Sequence, residues 1–359
     1  AFLGLTQNIV RYRVAGLRFN GQNQIEIGNR VIAKISRTEV ASKFMAPAPE
    51  AILRKLVAVG SITGEQAQLA ENVPMADDIT VEADSGGHTD NRPLVLLLPA
   101  MLALREQFQS KHDYAQPIRI GAAGGIGTPS SALAAFMMGA AYVATGSVNQ
   151  SCVEAAASAH TKNLLAQAEM TDVTMAPAAD MFEMGVELQV LKRGTMFPMR
   201  AKKLYELYKN YESIEAIPLQ ERLKLEQQVF RSSLDEIWRQ TVEHFNARDP
   251  HQIERAKDHP KRKMALIFRW YLGLSSRWSN SGEQGREADY QIWAGPAMGA
   301  FNNWVKGSYL EQFSNRKAVE VGWHIMTGAA YMYRLRLLQM QGVWFPSACE
   351  VYTPQPFSV

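Results

Sequence analysis

Between residues 25 and 150, short apolar runs alternate with longer stretches whose apolar positions recur every three or four residues. That switching rhythm predicts strands alternating with helices. Residues 30–36 read as a buried strand, followed by a capped helical turn over 38–44 and a helix over 49–59 with Pro49 at its start. Residues 78–83 read as a second strand that runs into the loop Asp84-Ser85-Gly86-Gly87-His88. A helix over 94–108 and a strand over 117–122 follow, the latter ending in Ala123-Gly124-Gly125-Ile126-Gly127. Residues 130–138 then read as a helix and 141–145 as a strand that ends on Gly146-Ser147. Repeated strand–helix units imply an α/β fold with a parallel sheet or barrel.

The rhythm changes at Leu204. Over 218–245, Leu219, Leu223, Phe230, Leu234, Ile237 and Trp238 fall on one helical stripe. Asp249-Pro250 breaks it, and further helices are expected over 251–270 and 320–340. Two domains are therefore expected, a barrel portion over 1–203 and a mainly helical appendage over 204–359.

Length and composition fit this layout. The chain has 359 residues, 47% hydrophobic and 20% charged, enough for a sizeable core. A barrel alone takes about 250 residues, which leaves room for the appendage. A net charge of +3 is too mild to argue for nucleic acid. Cys152 and Cys349 are the only cysteines, so neither a disulfide framework nor a zinc motif is expected, and a reducing cytoplasm suits them. No metal site is expected. The most apolar run, residues 94–104, is interrupted by Pro99 and is shorter than the roughly 20 residues of a membrane span. The chain opens on Ala1, within an element-like run over 1–10, and the native N-terminus is expected to lie further upstream.

Four features can carry chemistry. The loops at Gly124-Gly125 and Gly146-Ser147 each follow an apolar strand and precede a helix, the setting of a phosphate site in which glycine lets an anion approach backbone N–H groups. The same glycines would also serve simple tight turns. His88 sits on a glycine-rich strand-end loop, where barrel enzymes keep catalytic groups and where imidazole can exchange protons at working pH. A histidine that merely caps a turn is the alternative. Glu82 and Asp84 share one strand face beside it, as orienting groups or as solvated ones. Lys34, inside an apolar strand, either faces an anion or flavin or extends its ammonium to solvent. The basic run Arg255, Lys257, Lys261, Arg262 and Lys263 is a solvated face or a docking surface for an acidic carrier protein.

Three segments carry a family resemblance: residues 82–93, with Glu82-Ala83-Asp84-Ser85-Gly86-Gly87-His88 and Thr89-Asp90-Asn91-Arg92-Pro93; residues 263–273; and residues 294–302. Together with Gly121 to Gly127 and Gly146-Ser147 they resemble the PfaD subunits of polyunsaturated fatty acid and polyketide synthases. Those subunits lie within the nitronate monooxygenase-like superfamily of FMN barrels, and the likeness runs along essentially the whole chain. It implies the C-terminal part of a (β/α)8 TIM barrel, with the N-terminal barrel strands missing from this sequence. It implies FMN, with its phosphate held at Gly124, Gly125, Gly146 and Ser147, flavin-loop roles for Gly86 and Gly87, and His88 as the active-site histidine. It implies NADPH or NADH as donor, an acyl carrier protein-bound enoyl thioester as substrate, and other synthase subunits as partners. A nitronate monooxygenase and a non-catalytic synthase scaffold are the alternative readings. With barrel strands absent, this segment alone is expected to be inactive or poorly folded.

Overall fold

A computed structural model of the chain describes residues 5–357, so the first positions of the run over 1–10 lie outside it. The described chain forms two compact units. Of the described residues, the first comprises 5–85, 89–146 and 325–352, and the second 86–88, 147–324 and 353–357. This division does not coincide with the expected boundary at 203/204.

In the first unit, strands β1 (Leu17–Phe19) and β2 (Ile25–Ile27) form a small antiparallel hairpin. Strands β3 (Ile32–Ile35) and β4 (Asp78–Glu82) belong to a larger parallel sheet. The two-residue β5 (Gly87–His88) belongs to the second unit. The parallel sheet is completed by β6 (Arg119–Ala123) and β7 (Tyr142–Ala144), in the order β3-β4-β6-β7. Helices Thr38–Met45, Leu94–His112 and Pro129–Met137 come between successive strands. This is the repeating unit of a (β/α)8 barrel, with four strands among the described residues where a closed barrel has eight.

The two faces of this sheet differ. Ala33, Ile35, Ile79, Val81, Ile120 and Ala122 point to one face and are all buried in the apolar core. The other face carries the polar side chains of the sheet, alongside Ile32, Gly121 and Ala123. Asp78 and Arg119 form a bidentate pair at 2.6 and 2.8 Å, Thr80 meets the Tyr142 hydroxyl at 2.7 Å, and Lys34 Nζ lies 2.6 Å from Glu82. The expectation of a buried strand over 30–36 is corrected here. β3 is an edge strand whose exposure alternates, with Ile32 67% exposed and Ala33 and Ile35 buried.

The second unit holds β8 (Val173–Pro177) and β9 (Glu187–Leu191), which pair antiparallel, with β5 added to β9. Its helices include Phe197–Asn210, Leu234–Arg248, Pro260–Ser281 and Ala297–Val305. The long helix expected over 218–245 is broken. A helical turn over Leu219–Lys224 passes into a π-helical turn over Leu225–Phe230, and Arg231 then adopts φ 54°, a left-handed conformation that ends the helix. The helix expected over 251–270 is likewise two, His251–Lys257 and Pro260–Ser281, because Pro260 starts a new helix instead of continuing one. At the core of this unit Asp289 is fully buried and is met by Arg200, by the Tyr271 hydroxyl at 2.9 Å, by Arg286 at 3.2 Å and by Arg231 at 3.5 Å. No helix among the described residues is long and apolar enough to cross a membrane.

Candidate active site

The loop after β4 is closed by its own polar groups. The Asp84 N–H donates to the Arg92 carbonyl at 3.0 Å, and the Ser85 hydroxyl donates to Glu82 at 2.9 Å. Asp90 accepts from Ser36 at 2.5 Å and from Arg37 at 2.9 and 3.0 Å. The Arg37 hydrogen bond, with the Ser36 hydroxyl adding to it, holds the Asp90 carboxyl down at about 2 against the cost of its partial burial.

Within the second unit, Gly86, Gly87 and His88 pack against the segment 293–295. A Cβ on Gly86 would stand 2.8 Å from the Ala294 backbone, and one on Gly87 would stand 2.7 Å from the Trp293 ring. Gly87 also has φ +81°, so both glycines have a packing reason to be there. His88 is held in three ways. Its backbone pairs with Leu188, its Nε2 lies 3.1 Å from Asp180 Oδ1, and the Trp293 ring meets it edge-on at 5.8 Å. The imidazole remains 30% exposed, so one side is open to a reactant. The buried Ser147 hydroxyl accepts from the Gly295 N–H at 2.9 Å, and Gln150 donates to the Trp293 carbonyl at 2.6 Å. Gly86, Gly87, His88 and Ser147 are thus gathered on one short segment.

Gly124 and Gly125 belong to the first unit, where both have positive φ, +81° and +74°. Gly124 presses on Ala83, since a Cβ there would come within 2.5 Å of the Ala83 carbonyl oxygen. Gly125 and Gly146 have open space where a Cβ would sit. That space leaves the backbone of both loops open to approach. The helix start beyond Gly127 is already occupied. The N–H groups of Gly127 and Thr128 donate to the Ser131 hydroxyl at 3.1 and 3.0 Å, and Ser131 N–H donates to Thr128 Oγ1 at 3.2 Å. Lys34 lies on the polar face of the same sheet, with its side chain 61% exposed and its ammonium on Glu82.

Asp180 and Trp293 escaped the sequence reading. Asp180 does carry a local signal, because it follows the apolar end of a strand at Pro177-Ala178-Ala179, but nothing short-range ties it to a histidine 92 residues away. The basic run of the helical segment is mostly paired: Lys261 with Glu212 at 2.7 Å, Lys263 with Glu215 at 3.4 Å and Arg262 with Glu183 at 3.5 Å.

Comparison with known proteins gives consistent results. Residues 211–290 match the family described as acyl-carrier-protein S-malonyltransferase, inserted helical domain. The chain is 49% identical over 346 residues to a polyunsaturated fatty acid synthase protein of a Thraustochytrium species, matching 94% of this chain and 23% of that protein. It is 50% identical over 347 residues to the polyketide biosynthesis protein PksE of Bacillus subtilis, matching 97% of this chain and 44% of that protein. The chain thus spans less than half the length of either relative. Among solved structures, the enoyl reductase domain of MlnA, from the macrolactin biosynthesis cluster of Bacillus amyloliquefaciens, aligns with a TM-score of 0.89 and 38% identity. That alignment covers 94% of this chain and 76% of the MlnA domain.

Proposed function

Because the chain belongs to the PfaD family of synthase enoyl reductases, we propose that it serves fatty acid or polyketide synthesis as an FMN-dependent enoyl reductase. Its substrate would be an enoyl thioester borne on an acyl carrier protein, with NADPH or NADH as donor. The observation that carries this reading is the half-open His88–Asp180 pair on the glycine loop after a barrel strand, in a chain that superposes on an enoyl reductase domain.

The open cradles at Gly125 and Gly146 fit the FMN phosphate, with Gly124 shaping the first loop and Ser147 adjoining the second. Bound flavin supplies the hydride transfer; the protein's part is to position reactants and manage the proton. Asp180 fixes the ring of His88 through Nε2, so Nε2 carries a proton and Nδ1 is the nitrogen left to exchange one with a reactant. Reduction of an enoyl thioester needs a proton at the α-carbon; the Nδ1–H of a His88 imidazolium, whose Nε2–H stays on Asp180, would give it directly or through one water and leave the neutral ring to be reprotonated from solvent. Positioned proton transfer of this kind contributes about 10²- to 10⁴-fold in rate. Lys34 would keep a cation on the same sheet face, shared with Glu82.

The test is anaerobic stopped-flow absorbance on the full native chain. Flavin bleaching by NADPH, followed by recovery on adding an enoyl thioester, is the expected result, with recovery slowed at least 100-fold in His88→Ala. A flavin that ignores both reagents but turns over a nitronate would replace this reading with the monooxygenase. Absence of flavin would leave a scaffold.

A further inference from the structure

In the basic run that stands out in the sequence Lys261, Arg262 and Lys263 are paired with carboxylates, and a second basic surface lies elsewhere in the same unit. Helix Phe197–Asn210 buries Phe197, Ala201, Leu204 and Leu207. The opposite face, at the spacing i, i+3, i+4 and i+7, presents Met199, Lys202, Lys203 and Glu206. These residues line a groove of about 550 Å³ together with Pro198, Thr174, Thr195 and Lys192.

The ammonium groups here are differently engaged. Lys192 forms no direct ion pair among the described residues, although its charge reaches the nearby Asp172 carboxylate, and the side-chain partner of Lys202 is the Thr174 hydroxyl at 3.5 Å. Lys203 is shared with Glu221 at 3.1 Å, and Glu206 is the one carboxylate on the rim. Met199, 59% exposed, is the apolar side chain presented between the lysines, with Pro198 buried beneath the groove.

We propose that this lysine-rimmed groove docks the carboxylate-bearing helical face of an acidic carrier protein, an assignment whose partner rests on the enoyl reductase reading above. The form of the groove favours a protein over a small phosphate. A phosphate site gathers backbone N–H groups or a rigid guanidinium fork around one point. Here solvated, flexible ammonium groups flank the exposed Met199 side chain, which suits a salt-sensitive protein contact.

The experiment measures binding of a fluorophore-labelled acyl carrier domain to the full native chain by anisotropy, so it needs no turnover. Lys192→Glu/Lys202→Glu is expected to raise Kd about ten-fold and to flatten its salt dependence, since each exposed pair contributes modestly. Arg255→Glu/Lys257→Glu, an equal charge change on the other basic run, is expected to stay within about two-fold of wild type. Equal weakening by both pairs, no weakening by the groove pair, or no carrier binding by the wild type at low salt would overturn the proposal. A groove variant that keeps carrier binding but loses NADPH or inorganic phosphate would also overturn it and mark a small-anion site. Turnover of an enoyl N-acetylcysteamine thioester, expected to be unchanged in the groove variant, reports separately on the reductase reading. If the wild type fails that assay, the carrier-binding comparison still decides the surface.

Discussion

Gly87→Ala tests the packing on which the position of His88 depends. The substitution has two separable costs. At φ +81° an L-residue enters the left-handed region, costing roughly 1–2 kcal/mol. The new methyl would also sit 2.7 Å from the Trp293 ring, an overpacking that costs about 1–3 kcal/mol. The single variant should therefore lose about 3 kcal/mol. Trp293→Ala removes the ring but not the backbone strain, so in that background Gly87→Ala should lose only about 1–2 kcal/mol. A coupling energy of about 1–2 kcal/mol follows, within the range found for residues in contact. Urea unfolding followed by far-UV circular dichroism on the four proteins of the cycle gives this number from the midpoints. Losses that add within about 0.5 kcal/mol would refute the argument, because they would mean the methyl meets no ring.

Other outcomes follow from the same geometry. Asp289→Ala leaves Arg200, Arg231 and Arg286 without their buried carboxylate and should cost about 3–5 kcal/mol, read as a drop of about 10 °C in Tm; a shift within error would show that the cluster is not structural. Asp90 has a folded pKa of about 2, below its ordinary 3.8, so its stabilisation is complete above roughly pH 4 and fades as the pH falls toward 2. Wild type should exceed Asp90→Asn by about 1–2 kcal/mol at pH 6, with Arg37 partly exposed and screened, and the gap should narrow as the pH falls below about 4 and close only below about pH 2. Cys152 is fully buried, and that burial, with Glu154 nearby, pushes its thiol up to about 11. Iodoacetamide at pH 8 should therefore label Cys349 in the native protein and leave Cys152 unmodified by mass spectrometry until the chain is denatured.

The parallel strands were legible because each is an apolar or alternating run that ends on glycine, as at Glu82 to Gly87 and Ala122 to Gly125. The hairpin Leu17–Ile27 was not, since its strands are three residues long and carry Arg18 and Glu26 on their exposed surface. The break at Arg231 left no trace in composition, because a left-handed conformation in a non-glycine residue is imposed by tertiary contacts, here Arg231 onto Gly285 and Asp289. In the site, the glycines and His88 announced themselves through local sequence. Asp180 and Trp293 did not, because their role is created only when distant segments meet. Gly86 and Gly87 show that a glycine motif can have a physical cause, close backbone packing, that spacing alone does not reveal.

The polar face of the four-stranded sheet has a consequence for how the chain finds its register. Side chains alternate along a strand, so sliding β4 by one residue against β3 or β6 would exchange its two faces. Asp78, Thr80 and Glu82 would turn into the apolar layer, and Ile79 and Val81 would turn out of it. Each carboxylate would then be buried without Arg119 or Lys34, a penalty of several kcal/mol per ion. Mispaired sheets are thus expelled by charge as well as by lost apolar burial. Divergence at these positions is constrained in the same way: Lys34 with Glu82, and Asp78 with Arg119, can change sign only as couples.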